Sequence, residues 1–275
     1  MQFSDLHIHS RYSDGAFWPE EIIKISYNKG LKCISITDHD TIDSQNAIEN
    51  ITEHFDVKVI PGVELSTEYL SREIHILGYF IDYKNTELIS NLEKVKESRK
   101  NRAIDIISKL QQLNMDVNID EICINNSCIG RPHIAKALVA KGYANNTKEA
   151  FHQFLIKGKP TYVERYKINY KDALKLICNC GGLPVLAHPG EVYKGIQIEA
   201  LIKEFKVYGL KGIEVYHPAH SITQSNTFYN IAKKYSLVIT GGSDCHGVEH
   251  QNELLLGSYG LSEELTYKFL KLKYT

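Results

Sequence analysis

Asp5-Leu6-His7-Ile8-His9 decides how this chain reads. Residues 3–9 predict a β-strand, and alternate side chains of a strand share a face. His7 and His9 therefore stand side by side, where two imidazoles can grip one metal ion. Taken alone, the pair reads equally well as a solvated edge strand. The flanking sequence separates the two readings. Ser13-Asp14-Gly15 lies just downstream, and the apolar run 31–36 leads into Thr37-Asp38-His39-Asp40.

Later apolar runs repeat the pattern. Run 57–60 passes through Pro61-Gly62-Val63 to Glu64, and run 74–79 carries His75. Run 183–187 enters His188-Pro189, and run 212–216 enters His217. Run 237–240 leads through Gly241-Gly242-Ser243 into Asp244-Cys245-His246. Helical stretches intervene at 19–30, 41–55, 172–180, 196–208 and 221–235, with a last one at 262–272. Pro19-Glu20-Glu21 opens the first, with proline in the first turn and acids at the positive end, and Gly30 closes it. Repeated βα units imply a parallel sheet, closed or doubly wound. In a closed βα barrel the strand C-termini share one face, where active sites form. Chance places one or two histidines there, rarely one after nearly every strand.

Residues 85–159 break this alternation. A long helical stretch at 85–114 precedes shorter ones at 132–141 and 148–156. We expect a helical insertion that caps the molecule, dividing the chain into barrel 1–84, insertion 85–159 and barrel 160–275. Net charge is −1 overall, without the basic signature of a general nucleic-acid binder. From Lys94 to Lys167, however, 14 Lys and Arg face 7 Asp and Glu. That excess suits either a solvated helical face or an electropositive wall for an anionic substrate. Arg99, Lys100 and Arg102 read as the solvated face.

Hydrophobic content of 43% and charged content of 24% fit a globular protein. No run approaches the ~20 apolar residues that span a bilayer, so no membrane partner is expected. The N-terminus lacks a basic stretch followed by an apolar run, and the six cysteines follow no secreted-scaffold spacing. We expect reduced thiols, including Cys123, and a cytoplasmic location.

Mixed imidazole and carboxylate ligands favour Mn, Fe or Zn in a working site over a structural zinc cage. A carboxylate such as Glu64 or Asp244 can bridge two ions and take part in catalysis. Paired metals ~3.5–4 Å apart clamp both oxygens of a phosphoryl displacement.

Asp5-Leu6-His7-Ile8-His9-Ser10, Ser13-Asp14-Gly15, Thr37-Asp38-His39-Asp40-Thr41, Pro61-Gly62-Val63-Glu64, His75-Ile76-Leu77-Gly78-Tyr79, Ala187-His188-Pro189 and Gly242-Ser243-Asp244-Cys245-His246 resemble, in order, the motifs of the PHP (polymerase and histidinol phosphatase) superfamily. The resemblance covers all but the insertion. It implies a distorted (βα)7 TIM-like barrel holding two to three divalent ions. By that resemblance His7, His9, Glu64 and Asp244 hold one metal, and Glu64 bridges to a second shared with His75 and His188. Asp14, His39 and His246 hold the third. Asp14 stands where some relatives carry histidine, which bears on how strongly that third site binds.

Gly130-Arg131-Pro132-His133-Ile134-Ala135 and Gly212-Ile213-Glu214-Val215-Tyr216-His217-Pro218 resemble the small bacterial phosphoesterases acting on nucleoside 3′,5′-bisphosphates and short RNA 5′ ends. On that resemblance Arg131 and His133 bind phosphate and His217 faces the substrate. The implied reaction is hydrolysis of a nucleotide-type phosphate monoester by metal-activated water. The alternatives are a histidinol-phosphate phosphatase, a metal-dependent C–N hydrolase and a non-catalytic metal-barrel module. C–N hydrolases of related barrels commonly bridge their metals with a carbamylated lysine, and no lysine stands at a strand end here. Degenerate modules lack ligands, and none is missing.

His54, His152, His220 and His250 read as surface or packing residues. Asp38 suits orienting an imidazole, and Asp40 suits an N-cap for the next helix. Tyr162, Tyr166 and Tyr170 read as packing. Cys245 sits between two proposed ligands and should point away from both.

Overall fold

The computed structural model describes residues 2–49, 51, 55–122, 128–192, 197–247 and 253–274. The expectations for His54, Cys123 and His250 fall outside these residues. The architecture is mixed α/β. Strands β1 (Ser4–Ile8), β2 (Cys33–Ile36) and β3 (Lys58–Val59) form a parallel three-stranded sheet, with helices α1 (Pro19–Asn28) and α2 (Asp43–Ile48) in the connections. A second sheet has the order β6-β4-β5-β7-β8-β9. It contains β4 (Gly62–Tyr69), β5 (Arg72–Tyr79), β6 (Ile168–Asn169), β7 (Leu183–Leu186), β8 (Gly212–Tyr216) and β9 (Val238–Gly241). β7, β8 and β9 run parallel, whereas β5 runs antiparallel to both β4 and β7.

The closed TIM-like barrel expected from the sequence is not formed by these sheets, which stay open. Single bridges join them instead: Ile8 to Cys245, and His39 to Glu64. The reason lies in β4 and β5, which form a hairpin rather than two βα units. Its tip, Leu70-Ser71, has φ of 48° and 59°, the left-handed pair of a type I′ turn. The sequence places a strand at 57–60 that ends through Pro61-Gly62-Val63-Glu64, and does not anticipate β4. Its alternation is regular: Val63 and Leu65 enter the main core while Glu64 and Ser66 face the other way. Glu64 therefore lies inside a strand, two residues from its start.

Helices α3 (Thr86–Gln112), α4 (Arg131–Ala140) and α5 (Thr147–Ala150) lie between β5 and β6. They bury their own apolar cluster, including Ile106, Leu110, Ile134 and Leu138. Each such side chain contributes ~1.5–3 kcal/mol relative to exposure. Helices α6 (Tyr170–Asn179), α7 (Pro189–Val192), α8 (Ile198–Val207), α9 (Ile222–Lys234) and α10 (Glu263–Lys271) complete the chain. Where β9 ends, a Cβ on Gly242 would stand 2.3 Å from that of His7, so only glycine lets this segment reach β1. Among the described residues no helix is long and apolar enough to cross a membrane.

Candidate metal centre

The ends of β1, β2, β7, β8 and β9, the inward faces of β4 and β5 and the loop carrying Asp14 bring ten imidazoles and carboxylates together. Glu64 is their hub and is fully buried. Its Oε2 lies 2.7 Å from His39 Nδ1, 3.3 Å from His9 Nε2 and 3.5 Å from His7 Nε2. Its Oε1 lies 3.0 Å from His75 Nδ1 and 2.9 Å from His188 Nε2. Asp244 Oδ1 lies 3.0 Å from His9 Nε2 and 3.4 Å from His7 Nε2. Asp14 Oδ1 lies 3.2 Å from His246 Nε2, and its Oδ2 lies 4.0 Å from His39 Nε2. His217, expected to face substrate, points Nε2 at Asp244 Oδ2 across 3.4 Å, in ligand range of His7 and Asp244.

These donors fit divalent metal ions. Sets His9–Asp14–His39–His246, His7–His217–Asp244, His7–His9–Glu64 and His39–Glu64–His75 each converge within ion-sized spaces. His7 Nε2, His9 Nε2, His39 Nδ1, His188 Nδ1, Asp14 Oδ1, Glu64 Oε2 and Asp244 Oδ1 are buried with no hydrogen-bond partner. Each orphaned polar atom costs ~1–3 kcal/mol. Several gathered at one point are explained by cations that they would coordinate.

The electrostatics agree. Burial alone would raise the Glu64 carboxyl, but His39, His75 and His7 outweigh it and hold it well below the usual range. Asp244 and Asp14 are likewise held low against burial, by His7 and His246 and by His246 and His39 respectively. Burial, then the charges of His246 and His39, push His9 down to about 3, leaving a neutral imidazole suited to ligation. The backbone is held in left-handed conformations at Asp40, His188 and Asp244, with φ of 53°, 24° and 50°. Such non-glycine strain costs ~1–3 kcal/mol each and gathers at functional sites.

A second shell holds the ligands in place. Glu214 is fully buried, 3.1 Å from His7 Nδ1, and accepts the His188 backbone N–H at 2.8 Å. The sequence reading gave Glu214 no role. An acid at the centre of the apolar strand Gly212–Tyr216 was the available signal. Asp5 accepts from Ser243 N, Ser243 Oγ and Gly257 N, tying β1 to the Asp244 segment. Among the described residues Asp38 bonds no imidazole directly and reaches His9 Nδ1 only through Ser13 Oγ, 3.5 Å from that nitrogen. It accepts from Ser10 N and Oγ and from Ser13 Oγ, and so shapes the loop carrying Asp14. Asp40 is not the N-cap of α2, which is Ile42. It accepts from Ser66 N and from Arg99, with Arg165 at 3.4 Å. His220 is a packing residue, its ring held between Val215 O and Gly190 N. His152 is exposed, and Cys245 turns into the core behind β1. Tyr170 stacks on Phe205 at 4.5 Å, whereas Tyr166 is half exposed rather than packed.

Beside His39 and His75 lies a cavity of about 170 Å³ lined by Arg99, Arg102, Arg131 and Arg165. The reading of Arg99 and Arg102 as solvated was wrong: each is 8% exposed. Both stand in the apolar stripe Leu88–Leu92–Val95–Ala103–Ile106, and an arginine on that stripe was the overlooked signal. Burial, then Arg131 and Arg165, lower the Arg102 guanidinium to about 10. Arg165 Nε is buried and unpartnered. Arg131 stacks on Phe151 and lies 3.9 Å from Glu73. His133 instead accepts the Gly130 N–H at 3.0 Å, capping α4.

A mixed α/β chain with clustered His, Asp and Glu side chains able to hold metal beside a cationic pocket defines a metallohydrolase-type site. The PHP domain family matches residues 5–204, and the chain belongs to that family. It is 32% identical to the 3′,5′-nucleoside bisphosphate phosphatase of Chromobacterium violaceum over 88% of this chain and 86% of that protein. It is 31% identical to a 5′-3′ exoribonuclease of Haemophilus influenzae, covering 88% and 89%. A Chromobacterium violaceum structure described as an amidohydrolase with bound sulfate and no metal superposes with a TM-score of 0.88. It shares 29% identity and is matched over 98% of this chain and 96% of that one.

Proposed function

We propose that this protein is a metal-dependent phosphoesterase hydrolysing a phosphate monoester of a nucleotide, either a nucleoside 3′,5′-bisphosphate or the 5′ end of a short RNA. The observation that carries the reading is the arginine-lined cavity opening onto the histidine–carboxylate cluster. A substrate with two phosphates fills both: one among the metal ligands, the other among guanidiniums. The relatives named for bisphosphate and RNA-end chemistry support it.

We assign two to three ions, of Mn, Fe or Zn, to His7, His9, Glu64 and Asp244, to Glu64, His75 and His188, and to Asp14, His39 and His246. Bound there, they supply Lewis acidity and a water of lowered pKa. Glu64 and Asp244 present carboxylate oxygens between the ligand sets, and the buried His217 adds an imidazole beside Asp244. Arg131 and Arg165 hold the second phosphate, bidentate guanidinium geometry suiting an oxyanion. His133 we assign to capping α4. Residues 85–159 act as a cap, since α3 and α4 contribute three of the four arginines. We read the two open sheets as a distorted barrel, a reading supported by the bridges across their seams. Free thiols at Cys33, Cys128 and Cys180 suit a cytoplasmic setting. A C–N hydrolase is disfavoured because Glu64, not a lysine, occupies the bridging position.

The test is kinetic. Protein purified with Mn²⁺ should retain bound metal and release phosphate from a nucleoside 3′,5′-bisphosphate. Arg131→Ala should raise KM for that substrate ~10–100-fold, the loss expected of one charged hydrogen bond. An aryl phosphate should be little affected. Equal effects on both substrates would remove Arg131 from the subsite.

A further inference from the structure

Glu214 has two contacts, and they make an unusual demand. Its carboxylate accepts one N–H from the His188 backbone and faces His7 Nδ1 with the other oxygen. A carboxylate has no proton to give, so the His7 ring must carry its proton on Nδ1. In the neutral ring, the form that can ligate, that leaves Nε2 unprotonated, directed at Glu64 Oε2 and Asp244 Oδ1, where it is buried without a partner. The same side chain thus sets the tautomer of a ligand on β1 and the position of a ligand after β7. Among the described residues the side chain within hydrogen-bond range of Glu214 is that of His7. A buried carboxylate is costly without a balancing cation.

We propose that Glu214 is a positioning residue that locks His7 in its Nδ1–H form and so presents Nε2 to a divalent cation. The proposal rests on the metal-centre reading given above. Glu214→Gln exposes the requirement. An amide offers one acceptor and one donor where the site supplies two donors. If its oxygen takes the His188 N–H, its NH₂ faces His7 Nδ1. The ring proton is then driven to Nε2, where it blocks ligation. Glu214→Asp keeps the charge and both acceptors but shortens the reach.

The test has two arms. In metal-free protein, ¹⁵N NMR of the imidazoles at alkaline pH should find His7 as Nδ1–H in the wild type and Nε2–H in Glu214→Gln. Titration with Mn²⁺ should find one site weakened ~10–100-fold in Glu214→Gln, with partial recovery in Glu214→Asp. The metal-free melting temperature of Glu214→Gln should change little, because the amide keeps the side chain's volume and its bond to the His188 N–H. An unchanged His7 tautomer in Glu214→Gln would overturn the proposal. So would Mn²⁺ affinity falling only in step with a lower metal-free melting temperature, which marks a purely structural role. If the wild type binds no Mn²⁺, the metal-centre reading fails, and the tautomer arm still decides the role of Glu214.

Discussion

At the scale of single residues, the site is governed by how few side chains do several jobs. Glu64 meets five histidines, from β1, β2, β5 and the segment after β7. Glu64→Ala should therefore disturb more than one ion. We expect turnover to fall by at least ~100-fold, beyond the 10–100-fold typical of a change one shell further out. Near wild-type turnover in a folded, metal-loaded variant would refute its bridging role. Arg165 is the sharper case for the anion pocket. Its side chain is 2% exposed, and Asp40 alone does not satisfy it, since Nε stays unpartnered. Arg165→Ala should raise KM for a bisphosphate ~10–100-fold and leave metal content unchanged. A matching loss of bound metal would assign Arg165 to holding Asp40 and the β2 loop instead. His7, His9, His39 and Asp244 were legible from their places after apolar runs. Arg99, Arg102 and Glu214 stand on apolar faces, a signal that a reading by charge alone passes over, and Arg165 lies in a loop where no periodicity marks burial.

At the scale of elements, α3 and α4 couple a separate apolar core to the wall of the pocket. Leu138 is fully buried in that core, on α4 with Arg131 and clustered with apolar side chains of α3, which carries Arg102. Leu138→Ala should cost ~2–5 kcal/mol locally. Hydrogen exchange should then quicken through α3 and α4 while β1 and β2 stay protected. KM should rise with bound metal unchanged. Uniform loss of protection across both regions would mean that the insertion and the sheets unfold as one unit. The expected starts at 85 and 262 fall on Asn85 and Ser262, whose side chains cap α3 and α10, whereas the stretch expected over 41–55 forms the shorter helix Asp43–Ile48. The β4–β5 hairpin was hidden because its turn residues are Leu70 and Ser71, not the Asn-Gly pair that usually marks a type I′ turn.

At the scale of the whole molecule, the centre joins the two sheets. His7, His9 and His39 belong to the three-stranded side, and Glu64, His75, His188 and Asp244 to the other. Cations bound between them would tie the sheets together and relieve their buried, unpartnered atoms. Mn²⁺ at about 100 times its Kd should stabilise the fold by ~2.7 kcal/mol per site. At ~2–4 °C per kcal/mol for a domain of this size class, calorimetry should resolve the rise, and chelation should reverse it. A melting temperature indifferent to both would exclude a metal centre joining the sheets.

The sequence by itself determined the alternation of strands and helices, the helical interruption and the ligand types, because each is carried by local periodicity or by residues adjacent in the chain. His7 and His9 share a face for no reason beyond the two-residue period of a strand. Only the tertiary structure decided that β4 and β5 fold back as a hairpin. That reversal leaves the sheets open and carries Glu64 and His75 on its inner face. Only the tertiary structure turned Arg99, Arg102 and Arg165 inward beside His39 and His75. The apolar stripe of α3 marks the side on which Arg99 and Arg102 lie, but what packs against that side comes from distant parts of the chain, which no local pattern records.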